Sequence, residues 1–90
     1  MADNTNPVRI AILQRGWVFV GHYSRTAQGI RLTDARVIRR WGTTRGLGQI
    51  AAEGPTPTTV LDQAGTVRFH ELTVVAMLDC EGPAWSAHLR

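Results

Sequence analysis

Apolar and polar residues alternate from Val8 onwards, and the alternation predicts β-strands. Val8, Ile10 and Ile12 share one side of a run ending at Leu13, with Arg9, Ala11 and Leu13 on the other. Gln14, Arg15 and Gly16 mark a turn, because glycine tolerates positive φ. Residues 17–23 form the next strand, with Trp17, Phe19, Gly21 and Tyr23 opposite Val18, Val20 and His22. Apolar groups on both sides predict a strand that is buried or wrapped around a small barrel. Gly21 inside it predicts a sharp bend or a close backbone approach. A polar turn is expected at residues 24–29 and a third strand over residues 30–38, whose alternation runs on through Ala35, Val37, Arg39 and Trp41.

The period then changes. Leu47, Ile50 and Ala51 stand at helical spacing, Thr43 or Thr44 offers a cap, and Gly54-Pro55 stops the helix. A helix of two or three turns is expected near residues 44–53, weakened by Gly46 and Gly48. Residues 55–65 read as a Pro/Thr-rich loop from which Val60 and Leu61 tuck into the core. Two more strands follow over 66–70 and 72–79, with Glu71 at the bend, and Gly82-Pro83 ends the sheet. The order β-β-β-α-β-β predicts a mostly β fold, a small antiparallel SH3/Sm-like barrel of about five strands with one short inserted helix. The expected domain covers residues 8–81, between a flexible tail at 1–7 and a C-terminal tail at 82–90 that docks through Trp85 or frays.

Composition narrows the function classes. Ninety residues with 43% apolar side chains support one folded domain with a modest core, a size at which oligomerisation often buries further surface. A lone cysteine, Cys80, excludes an internal disulfide framework. No secretory leader or membrane span is legible, so a cytoplasmic protein with no membrane partner is expected. All ten basic residues are arginine, at a net charge of +3. A GC-rich genome alone favours arginine codons, so its placement says more. Residues 31–45 hold five arginines against one aspartate, net +4; residues 53–81 hold five acids against one arginine, net −4. Such polarity suits an anion-binding patch or a head-to-tail subunit contact.

Candidate chemistry concentrates in residues 35–53, which carry four arginines, a tryptophan and three glycines. Arg36, Arg39, Arg40 and Arg45 are candidates to hold phosphates, because a guanidinium presents a planar fork of donors. Trp41 is a candidate to stack on a base, Thr43 and Thr44 to hydrogen-bond, and Gly46 and Gly48, with Gly42, to allow close backbone approach at a helix start. The stretch is not a Walker A loop, since no Gly-Lys-Ser/Thr follows. On an extended strand Arg39 lies with Val37 and Trp41, while Arg36 and Arg40 lie opposite. The competing reading is that the glycines shape a turn, Trp41 fills the core and the arginines are solvated. Trp17, Phe19, Tyr23, Phe69 and Trp85 read as core or interface anchors, so Trp17→Ala is expected to cost folding rather than binding. His22, His70 and His88 are scattered, and neither a metal site nor a catalytic set is legible; no cofactor and no enzyme activity are expected.

Two resemblances add to this. The order of elements resembles the Sm-like barrels of RNA-binding rings: residues 9–23 resemble the first two strands, 30–35 the third and 67–79 the last two. The run Val67-Arg68-Phe69-His70-Glu71-Leu72-Thr73 is similar to the uridine-pocket segment of the bacterial RNA chaperones, and it implies His70 as a ligand residue. Phe69 stands where that family has lysine, and no Asp-and-Asn pair occurs at residues 24–29. Asp34-Ala35-Arg36, Trp41 and the Leu-x-x-Ile-Ala of residues 47–51 resemble a pattern in small tailed-phage accessory proteins, over most of residues 8–80. That resemblance implies a phage-type homo-oligomer acting as a sponge for a nucleotide-derived immune signal in a bacterial host. The alternatives are an Sm-like ring for single-stranded RNA or DNA, and a phage assembly or protein-interaction module.

Overall fold

A computed structural model describes residues 6–89 of the chain, so most of the tail expected at residues 1–7 lies outside the described residues. Strands β1 (Val8–Leu13), β2 (Val18–Thr26) and β3 (Gly29–Arg40) precede helix α1 (Leu47–Glu53), which is followed by β4 (Val60–Phe69) and β5 (Val74–Asp79). Neighbouring strands are antiparallel, in the order β4-β3-β2-β1-β5. The expected mostly β, barrel-like fold with an inserted helix is what the chain forms.

The register requires the sheet to curl. Phe69 ends β4 beside Ile30, which pairs with Arg25; Val74 opens β5 beside Leu13, whose N–H donates to the Trp17 carbonyl. In a flat sheet those points would lie roughly 30 Å apart, yet five residue steps reach only about 17 Å. Only a sheet rolled over on itself joins them. The rings of Phe19 and Phe69 accordingly stack at 6.5 Å, although their partners Val37 and Ile30 are far apart along β3.

The roll is made at one place. The β2–β3 register shifts between Val20 and His22, and the β3–β4 register shifts between Leu32 and Ala35. Gly21 and Asp34 therefore sit at coincident bulges, where strands bend and twist most. Asp34 takes φ 51°, a left-handed value that aspartate tolerates better than most residues. A Cβ on Gly21 would meet Leu32 at 3.0 Å and Ala35 at 3.2 Å, so the sheet folds as tightly as it does because that side chain is missing.

Two apolar clusters result. Ala11, Leu13, Leu32 and Ala35 line the inside of the roll, with Phe19, Tyr23, Val67, Phe69 and Met77 packed around them. Val8, Ile10, Val18, Val20 and Ile38 form the outer cluster, covered by Leu47, Ile50 and Ala51 of α1 and by Trp85 and Leu89. The last two belong to residues 82–89, where the chain forms helix α2 (Gly82–Trp85) and a further turn instead of fraying. The docking has a polar cause as well as an apolar one. The end of α1 leaves carbonyls without helical partners. Ile50 accepts from Gly54 N–H at 2.8 Å and from the Trp85 indole N–H at 2.8 Å, and Ala51 accepts from Glu81 N–H at 2.8 Å.

Four local expectations are corrected. The turn expected at 24–29 shrinks to residues 27 and 28, because β2 and β3 stay paired out to Thr26 and Gly29. The loop expected at 55–65 ends early: β4 starts at Val60, since the long β3 offers Asp62, Gln63 and Gly65 a ladder that overrides their composition. Neither Thr43 nor Thr44 caps α1; Gly46 holds that position with no side-chain bond, and the helix spans two turns. Trp17 is not core. It lies just before β2 at the mouth of the roll, 55% exposed and stacked on Phe19 at 5.9 Å.

The burial contrast fixes an outcome for the two tryptophans. Trp85→Ala should cost about 3–5 kcal/mol of unfolding free energy in urea denaturation, whereas Trp17→Ala should cost about 1 kcal/mol or less. Equal losses for the two would overturn this assignment of the core.

Candidate functional site

The loop from Trp41 to Gly46 leaves the end of β3 and must reach α1 without a strand partner. Its backbone is fixed instead by hydroxyls from the other side of the helix. Thr59 Oγ1 donates to the Trp41 carbonyl at 2.6 Å, and Thr56 and Thr58 Oγ1 donate to the Gly42 carbonyl at 2.7 and 3.0 Å. Gly42 has φ 65°, and a Cβ there would lie 2.5 Å from the Thr58 carbonyl carbon, so only glycine fits beneath this clamp. The clamp went unread in the sequence, although a threonine-rich turn with side chains free to bond nearby backbone carries that signal.

The clamp holds Trp41 at its backbone and leaves the ring 44% exposed. Arg39 and Arg40 precede it directly and both are exposed. Arg39 is ion-paired with Asp62 on β4. No ion pair among the described residues involves Arg40. Arg36 is half-buried and already engaged. Trp17 lies toward the same end of the sheet: it stands two residues before Phe19, which pairs with Val37, and Arg39 stands two residues after Val37. The exposed Arg15 lies two residues from Trp17 in the β1–β2 turn. Trp17 was missed as a surface aromatic because alternation assigns a face but not whether the strand end is covered.

The rest of the glycine-rich segment is spent on its own structure. Arg45 donates its backbone N–H to Gln49 Oε1 at 3.1 Å, and its guanidinium bridges to Glu53 at 2.5 Å. The Gly46 carbonyl accepts from Gln49 N–H at 3.2 Å, Gly48 has open space around it, and Thr44 is exposed. Thr43 Oγ1 is shut away from solvent without a hydrogen bond among the described residues. His70 does not join this end of the sheet: it follows the last residue of β4, while Arg40 pairs with the first. Its Nδ1 accepts from Leu72 N–H at 3.1 Å, capping the turn between β4 and β5.

The charge polarity of the sequence is offset in part within the chain. Arg39–Asp62 and Arg45–Glu53 join the basic segment to the acidic one, and Arg25–Glu71 and Arg9–Asp79 bring two arginines from outside the basic segment to the acidic one. Such exposed pairs contribute about 0–1 kcal/mol each. Elsewhere, a cleft of about 520 Å³ is lined by Asn6, Val8, His22, Cys80, Pro83 and Ser86. Its histidine is spoken for, with Nδ1 3.0 Å from the Asn6 carbonyl. Burial, with a smaller push from Asp79, drives the Cys80 thiol up to about 12 against the opposing hydrogen bond at the Ile10 backbone. The thiol is therefore protonated and weakly nucleophilic at neutral pH. Among the described residues no group of three His, Cys, Asp or Glu side chains could hold a metal ion, and no helix is long and apolar enough to cross a membrane.

Two outcomes follow from these bonds. Thr59→Val should destabilise by about 1–3 kcal/mol, because the Trp41 carbonyl loses its donor, whereas Thr43→Val should leave the melting temperature unchanged or raise it. For Cys80, the native thiol titrates near 12 and the unfolded one near 9.0. The unfolded state thus binds fewer protons between those values, and the thiol's contribution to stability is lost as pH rises from 9 toward 12. Iodoacetamide labelling at pH 8 should accordingly track unfolding; labelling of the native chain at the rate of a free thiol would contradict it.

Compared with protein-family models, curated proteins and solved structures, the chain matches none.

Proposed function

We propose that the chain is a non-enzymatic binding protein for a nucleotide-type anion, a phage-type homo-oligomer that sequesters a nucleotide-derived immune signal in the cytoplasm of a bacterial host. The observation that supports this reading is Trp41. Thr59 holds its carbonyl and Thr56 and Thr58 hold that of Gly42, while its ring is 44% exposed and the exposed Arg39 and Arg40 precede it in the chain. An exposed aromatic ring on a backbone held in place, with arginines one and two residues before it, suits a base and its phosphate, and the clamp lowers the cost of ordering the loop. Arg15, Arg39 and Trp17 add the same chemistry toward the same end of the sheet. The oligomer is supported by two open sheet edges: β4 and β5 each pair on one side, and β5 has Val75 67% exposed with neither proline nor lysine to blunt it.

One observation favours a second reading, binding of single-stranded RNA or DNA. Trp41 and Trp17 stand on an open surface, and the cleft described above is lined by other residues. Exposed rings and arginines outside a cleft suit a strand as well as a small nucleotide.

Thermal-shift measurements with cyclic di- and trinucleotides, ADP-ribose derivatives and a short oligo-U separate the two. A small nucleotide should raise the melting temperature while oligo-U does not. Trp41→Ala should weaken that ligand by about 5- to 150-fold, the range for losing one base stack. Oligo-U binding with a steep salt dependence would favour the second reading, and a Trp41→Ala chain that binds every hit unchanged would remove both.

A further inference from the structure

A separate feature lies on the outer face of the sheet, beyond the Gly21–Asp34 bend from Trp41. Arg31 on β3 stands directly opposite Arg68 on β4 in the antiparallel register. Side chains so paired have Cβ atoms about 4.5–5.5 Å apart, and like charges in that position repel. The chain offers them no acid. No carboxylate among the described residues comes within ion-pairing distance of either, and the nearby Glu71 is committed to Arg25. Arg31 is nevertheless aimed rather than loose. It is half-buried, and its Nε donates to Ser24 Oγ at 3.2 Å, from the residue that pairs with it on β2. Ser24, Arg31 and Arg68 thus make one row across three strands, with one guanidinium oriented and the second exposed beside it.

We infer that this row is an anion site for a phosphate group, with the Arg31 and Arg68 guanidiniums on its oxygens and Ser24 as the residue that orients Arg31. The physical reason is the sign of the pairing: two facing arginines are a cost to the bare protein and a gain once a multiply charged oxyanion bridges them. The site is independent of Trp41. A free phosphate and the phosphodiester of a nucleic-acid strand present the same oxygens, and the test distinguishes them.

The experiment compares melting temperatures of the full chain in inorganic phosphate and in chloride at equal ionic strength. Phosphate should raise the wild-type value by several degrees. Arg68→Ser should abolish that rise, and in chloride it should melt at or above the wild-type temperature because the repulsion is gone. Arg68→Glu should melt higher still in chloride and ignore phosphate. Trp41→Ala should keep the phosphate rise, which separates this site from the proposed nucleotide loop. A short single-stranded DNA that competes with phosphate at low salt would identify the phosphodiester as the ligand; no competition would leave the free anion. The inference is overturned if phosphate shifts the wild type and Arg68→Ser alike, if it shifts neither, or if Arg68→Ser melts well below the wild type in chloride.

Discussion

The fold depends on the bend at Gly21 and Asp34. Between Phe69 and Val74 the chain has too few residues to cross a flat sheet, so β4 and β5 can flank the same meander only if the meander rolls up. Rolling requires a place where inner side chains are small and two registers slip together. Gly21 supplies the missing Cβ, Asp34 the left-handed residue, and Ala11 and Ala35 the small inner wall. A side chain on Gly21 would push Leu32 and Ala35 apart at the point of tightest curvature. The stack of Phe19 on Phe69 is a consequence of that curvature and not its cause, since these two rings meet only because the roll brings β4 over β2.

Rolling leaves the outer face of β1, β2 and β3 convex and apolar, and the rest of the chain is recruited to cover it. Helix α1 supplies three apolar side chains at helical spacing, too few for a face that also exposes Val8, Ile10 and Val20. Trp85 completes the cover. Its indole N–H also satisfies a carbonyl that the short helix leaves open, so the C-terminal segment and the inserted helix hold each other in place.

Much of this was legible and the remainder had identifiable causes. Alternation locates β1 and β2 and the faces of Val8, Ile10 and Val20, and Gly21 inside a strand signals a sharp bend or a close backbone approach, both of which the structure has. The start of β4 was hidden because Asp62, Gln63 and Gly65 have loop composition and are strand residues only through the ladder that β3 offers them. The sequence leaves docking through Trp85 and fraying both open, because the partner carbonyl belongs to a helix 35 residues earlier and no local periodicity records such a bond. For the candidate site, the sequence singles out Trp41 and the neighbouring arginines as candidates and leaves open whether the ring fills the core; the structure leaves it 44% exposed. The sequence could not show which arginines were already occupied, since Asp62 and Glu53 reach Arg39 and Arg45 only after folding.

That occupancy gives the arginines unequal roles in any contact with an anion. Arg39 and Arg45 each face an exposed carboxylate in a pair that contributes little to stability. A phosphate could displace such a carboxylate, but only by repaying a competitor already in place, which filters out weak and single-point anions. Arg31 and Arg68 face one another with no carboxylate between them, so an anion there meets no competitor and relieves a repulsion. On the proposed reading, an arginine already paired asks for a ligand that brings a base as well as a charge, whereas the unpaired Arg31 and Arg68 ask only for charge in the right shape. The net charge of +3 distinguishes neither case. The distinction lies in which acids the roll of the sheet carries to which arginines.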